Sequence, residues 1–118
     1  MYNIGTDIVE VNRIRELINI YDMRFLNRVF SKKEIIYCLS KNNPSIHFAG
    51  RFSAKEAIRK AISKKHMDSF FSFKELSIEN DNIGRPFLSH PTLNTDYIDV
   101  SISHTKSYAI SFAVLRAE

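Results

Sequence analysis

The 118 residues hold one cysteine, three glycines and three prolines, and each scarcity removes a class of protein. A single cysteine, Cys38, leaves no internal disulfide and no structural zinc cluster, and it favours a reducing compartment. Its expected role is that of a small buried apolar side chain. Gly5, Gly50 and Gly84, with Pro44, Pro86 and Pro91, are too few for collagen, a linker or a low-complexity tract. No apolar run approaches the ~20 residues that cross a bilayer, so no membrane association is expected. The opening Met1-Tyr2-Asn3-Ile4-Gly5-Thr6-Asp7 has neither a basic n-region nor an apolar h-region. No secretory signal is expected from it, and the expected location is cytoplasmic. P-loop, GxSxG, GxGxxG and HExxH patterns are missing, as is an RNP-like aromatic and basic segment.

What remains is an ordinary globular composition, 44% hydrophobic and 25% charged, at a length suited to one domain over residues 1–118. Residues 2–11 read as a strand with a polar interruption at Gly5-Thr6-Asp7. Asn12 is placed to cap a helix carrying Ile14, Leu17 and Ile18, and Asp22 to cap a short one carrying Phe25, Leu26 and Val29. Ser31 with Glu34 three residues on is a capping box. Apolar residues then recur at three and four over about 45–65 (Phe48, Ala49, Phe52, Ala57, Ile58, Ala61, Ile62), which predicts one long helix, weakened locally by Gly50. Segments 73–79 and 85–88 read as strands around an Asn80–Gly84 turn, with Pro86 at a strand start or edge. Residues 97–103 and 108–115 predict an antiparallel hairpin. The fold class expected is α+β: an N-terminal strand and helices, and one long helix packed on an antiparallel sheet.

Net charge is +4 and the isoelectric point about 9.3. Residues 51–65 alone hold Arg51, Lys55, Arg59, Lys60, Lys64 and Lys65 against Glu56. Such a segment is either a solvated helix face or a docking face for an anion: nucleic acid, a phosphorylated small molecule or an acidic protein. On a helical wheel Arg51, Lys55 and Arg59 form one basic stripe, and Phe52, Glu56 and Lys60 the next. Glu56 is then either an ordinary salt-bridge partner or a carboxylate that holds a divalent cation among phosphate-binding cations. Asp7, after the glycine of the first strand, is either a turn residue or the second carboxylate of such a site. His104 sits at the corner of the hairpin, where loops on a rigid base carry function. The other histidines, His47, His66 and His90, share no metal-ligand spacing with it.

Three segments, in order, resemble the holo-acyl-carrier-protein synthases. They are Gly5-Thr6-Asp7-Ile8-Val9-Glu10-Val11-Asn12-Arg13-Ile14, Phe48-Ala49-Gly50-Arg51-Phe52-Ser53-Ala54-Lys55-Glu56-Ala57 running on to Lys60-Ala61, and Val100-Ser101-Ile102-Ser103-His104-Thr105. Gly84-Arg85-Pro86 is similar to the family's turn of the same kind. One departure lies after the long helix, where Lys64–Ser69 replaces a Gly-rich turn. The resemblance implies transfer of 4′-phosphopantetheine from coenzyme A to a serine of apo acyl carrier protein, in support of fatty acid biosynthesis, with adenosine 3′,5′-bisphosphate released. It implies Mg²⁺ held by Asp7 and Glu56, and Lys60 on the pyrophosphate oxygens. Glu56, directly or through a metal-bound water, is implied to accept the serine proton. Coenzyme A is implied to meet Arg51 and Lys60, with His104 and Thr105 at phosphate or ribose and Gly84, Arg85 and Pro86 on the adenine side.

An acidic carrier protein is expected at Arg13, Arg24 and Arg28, for which ordinary surface arginine is the alternative. A homotrimer with active sites at subunit boundaries is implied by resemblance; the 14 Phe and Tyr residues are compatible with an interface and equally with a core. A basic module binding nucleic acid without catalysis is the competing reading; it gives Asp7 and Glu56 no purpose, and no nucleic-acid partner is expected. A different Mg²⁺-dependent phosphotransferase is disfavoured by the lack of any Walker or kinase pattern.

Overall fold

Alternation along the first strand sets the architecture. In the structure, a computed structural model describing residues 2–62 and 72–116, β1 (Tyr2–Glu10) buries Gly5 and Val9 and exposes Ile4, Thr6 and Ile8. Helices α1 (Val11–Tyr21), α2 (Met23–Val29), α3 (Lys32–Leu39) and α4 (Pro44–Ala61) follow, then β2 (Ser77–Asn80), β3 (Pro86–Ser89), β4 (Ile98–His104) and β5 (Tyr108–Arg116). The strands form an antiparallel sheet of order β1-β5-β4 and a separate β2-β3 ribbon. The expected α+β class stands. The expected interruption at Gly5-Thr6-Asp7 does not, because pairing with β5 runs unbroken from Tyr2 opposite Arg116 to Glu10 opposite Tyr108.

The glycine there answers to a neighbour instead. A Cβ on Gly5 would lie 2.0 Å from the Ala57 carbonyl oxygen of α4. Strand and helix therefore touch backbone to backbone, and Ser53 Oγ donates to the Asp7 carbonyl at 3.0 Å one step further along. Gly50 has a similar reason: a Cβ there would meet Ile102 of β4 at 3.0 Å, and the helix continues through it. The small face of α4 (Ala54, Ala57, Ala61) packs with Ile58, Ile98, Ala113 and Leu115 in one core cluster. Phe30, Cys38, Phe48, Ala49 and Ala109 join Val11, Ile14 and Leu26 in the other.

Local signals hold unevenly. The Ser31–Glu34 capping box forms, and Pro44 occupies the first turn of α4. Asn12 lies inside α1, whose N-cap is Glu10, and its carboxamide accepts from Arg15. Asp22 stands where its cap was expected but makes no side-chain cap; with φ 50° it is the joint between α1 and α2. The strand expected at 73–79 shortens to Ser77–Asn80, because Phe73–Glu75 form a turn whose Phe73 carbonyl accepts from Lys55. The Lys64–Ser69 segment lies outside the described residues.

Candidate active site

Where β1 crosses α4, two of the expected residues meet, and a third lies on the same helical face. Lys60 Nζ donates to Asp7 Oδ1 at 3.1 Å and to the Thr6 carbonyl at 3.0 Å. Ser53 and Lys60 thus bracket Asp7, and Glu56 lies between them at three- and four-residue spacing on the same helical face. Both carboxylates still reach solvent, with side-chain exposures of 14% for Asp7 and 18% for Glu56. Glu56 Oε2 accepts from Arg59 Nη2 at 2.7 Å. Among the described residues no three acid, histidine or cysteine side chains converge. A two-carboxylate set of hard oxygens suits Mg²⁺, whose remaining positions go to waters and substrate phosphate oxygens. The residues present therefore fit that ion.

The expected basic stripe is not a solvated face. Lys55 is fully buried, its ammonium donating to Glu34 Oε1 at 2.6 Å, to the Val29 carbonyl at 2.8 Å and to the Phe73 carbonyl at 2.7 Å. Burial pulls its pKa down and Glu34 opposes that. The same Glu34 takes the backbone N–H groups of Ser31 and Ile78. The pair ties α2, α3, α4 and β2 together, so the lysine of the long-helix motif is structural. Cys38 is buried beside it, and desolvation pushes the thiol up to about 12, which makes it inert at neutral pH.

Arg51 is also buried, 5% exposed. Its guanidinium lies 4.2 Å from the centre of the Tyr37 ring and donates to Asn80 Oδ1 at 3.3 Å, while Nε has no partner among the described residues. Lys41 approaches the same ring at 4.6 Å. His47 sits edge-on to Tyr37 at 5.9 Å and to His104 at 6.0 Å. The two expected residues Arg51 and His104 are thus joined through Tyr37 and His47, which the sequence reading missed. His47 could have been found, since it precedes Arg51 by one helical turn; Tyr37 arrives from α3 with no sequence signal.

Thr105 Oγ1 accepts from the Ser107 and Tyr108 N–H groups and so builds the hairpin corner that presents His104. Gly84, at φ 83°, closes a turn whose Asp81 carboxylate accepts from Ile83 and Arg85 N–H. Arg85, Pro86 and Phe87 line a cavity of about 280 Å³ with Ile98, Asp99 and Val100. Arg24 and Arg28 line another of about 280 Å³ with Leu17, Tyr21 and Phe25. Arg13 is exposed on α1 and is not part of that lining.

Residues 3–113 match the model of the 4′-phosphopantetheinyl transferase superfamily. The chain is 45% identical over 116 residues to the holo-[acyl-carrier-protein] synthase of Protochlamydia amoebophila, covering 94% of each chain. The chain belongs to this family. It is an enzyme of the phosphopantetheinyl transferase class, and the match extends to the family's solved structures. The holo-(acyl-carrier-protein) synthase of Bacillus anthracis, solved in complex with CoA (3′,5′-ADP), is 32% identical with a TM-score of 0.80, over 98% of this chain and 96% of that one. The Helicobacter pylori family member, solved with coenzyme A, is 32% identical with a TM-score of 0.78, over 96% of this chain and 99% of that one. Among the described residues, no helix is long and apolar enough to cross a membrane.

Proposed function

We propose that the protein moves 4′-phosphopantetheine from coenzyme A to a serine hydroxyl of an apo acyl carrier protein, releasing adenosine 3′,5′-bisphosphate in the cytoplasm for fatty acid biosynthesis. The observation that carries this reading is the grouping of Asp7, Glu56 and Lys60 where β1 crosses α4. In the reaction the serine oxygen bonds to the phosphorus that bears pantetheine. The bond from that phosphorus to the oxygen bridging to the adenosine side breaks, and the serine proton goes to Glu56. Lys60 stabilises the negative charge on the departing oxygen. Arg51 and His104 receive a phosphate remote from the reacting one, with Thr105 fixing the corner. Gly84, Arg85 and Pro86 border the adenosine. Asp7 and Glu56 would hold Mg²⁺, which when bound neutralises pyrophosphate charge. Incubation with coenzyme A, Mg²⁺ and apo carrier protein, read by mass spectrometry, should show the carrier gaining a phosphopantetheine group. No mass increase with a folded carrier overturns the reading.

Carrier docking is assigned to the apolar cavity between α1 and α2, rimmed by Arg24 and Arg28, with Arg13 nearby on α1. An acidic helical protein with an apolar side chain at its contact matches that chemistry. Arg24→Glu should raise the apparent KM for carrier protein about tenfold at low salt and less at high salt, because surface charge is screened within about 8–10 Å. An unchanged KM in steady-state kinetics at low salt removes this cavity from the mechanism.

A homotrimer is supported by the outer face of the β1-β5 pair. Ile4, Ile8, Ile110 and Phe112 form an apolar patch there, with Ile8 63% and Phe112 41% exposed. A contiguous apolar sheet face of this kind calls for cover, and three copies about one closed axis supply it when each turns this face inward. Sedimentation velocity should give three times the chain mass; a monomer at micromolar concentration overturns it.

A further inference from the structure

The His47 ring meets another imidazole and an aromatic ring at once. It leans edge-on against His104 of β4 at an interplanar angle of 67° and against Tyr37 of α3 at 78°. The groups that act on it come from every element around it. Arg51 lies one turn along its own helix, Lys41 follows α3, and His104 ends β4. All three are cations or can become so. The Tyr37 ring is already shared by the Lys41 and Arg51 cations. Among the described residues, no carboxylate is among the groups acting on His47. Buried Arg51 adds an Nε with no partner among the described residues. A cluster of cations assembled without an acid is matched to an anion from outside.

Coenzyme A carries a pyrophosphate and one phosphate monoester. The pyrophosphate belongs with Asp7, Glu56 and Lys60 on the reading above. The monoester is the group that approaches two negative charges at neutral pH, since its second ionisation falls near pH 6. We propose that His47 is a specificity residue that takes up a proton when this monoester binds, so that the imidazolium and Arg51 together tell coenzyme A from its dephosphorylated analogue. The inference rests on coenzyme A as substrate and adds a residue and a proton to that reading.

The sign follows from the surroundings. In the free protein burial, then Arg51, His104 and Lys41, hold the His47 pKa below its ordinary 6.5. The ring is therefore neutral at pH 7 before binding. A dianion beside it offsets the cations and favours the charged ring. Between the free and the bound midpoints, binding is accompanied by proton uptake.

The test is a pH titration of the imidazole signals by NMR, using the wild-type protein with adenosine 3′,5′-bisphosphate or with AMP as probe. The His47 midpoint should lie below 6.5 in the free protein and rise by at least one pH unit with the bisphosphate, while AMP leaves it in place. Calorimetry at pH 7 in buffers of different ionisation enthalpy should show proton uptake with coenzyme A and far less with dephospho-coenzyme A. His47→Gln, with its melting curve checked, should lose that uptake and narrow the preference for coenzyme A about tenfold, the size of one charge-assisted hydrogen bond. Coenzyme A binding with no shift at His47, or uptake that survives His47→Gln and disappears in His104→Gln, overturns this inference alone. No binding of coenzyme A at all overturns it together with the functional reading.

Discussion

Asp7→Ala and Glu56→Ala should each leave a folded protein whose transfer rate falls by several kcal/mol in barrier, on the order of a thousandfold. Neither carboxylate holds the fold. Asp7 meets solvent and a half-exposed Lys60, and Glu56 meets solvent and a half-exposed Arg59. Such exposed pairs contribute little to stability. On the proposed function their weight lies in the reaction, where the two acids would supply the protein's share of a magnesium–pyrophosphate site and Glu56 would accept the serine proton. Circular dichroism and the transfer rate are measured together. Wild-type circular dichroism with a rate within a few-fold of wild type, for either variant, removes that residue from the site. The backbone distinguishes the two positions further. The carbonyls of Thr6 and Asp7 stay bonded to Lys60 and Ser53 whatever side chain stands at position 7, so Asp7→Ala keeps the strand on the helix.

The neighbouring lysine should behave in the opposite way. Lys55→Met removes the cation from a pair in which both side chains are wholly buried. It strands the Glu34 carboxylate and leaves the Val29 and Phe73 carbonyls without their donor. Breaking one side of a buried pair costs about 3–5 kcal/mol. In a domain of this size that lowers the melting temperature by roughly 10–20 °C. The double variant Lys55→Met with Glu34→Gln should lose less than the sum of the singles, because no uncompensated charge remains. Urea unfolding of the four proteins gives the coupling directly. Additive losses would show that the two groups do not depend on each other. Within one helix, then, Lys55 carries stability and Glu56 is proposed to carry chemistry, although the sequence sets them side by side.

The sequence by itself determined the local order of the chain. The Ser31–Glu34 spacing fixed a cap and the apolar period fixed α4 within a few residues, because each depends on groups less than two helical turns apart. The three motif segments likewise named Asp7, Glu56, Lys60 and His104, and the structure joins Asp7 to Lys60 with Glu56 on the same face of α4. Tertiary structure decided what those residues face. A helical wheel puts Arg51, Lys55 and Arg59 on one stripe, but only packing tells that α2, α3 and the turn after α4 close over Lys55 and leave Arg59 in water. Gly5 read as a break in a strand, when it is the contact that lets β1 reach the backbone of α4. Tyr37 gave no signal of belonging with His104, and the spacing that sets His47 one turn before Arg51 did not reach it, because β4 lies more than fifty residues along the chain from either. Contacts across such separations rest on shape and on the balance of burial against charge, and one sequence states neither.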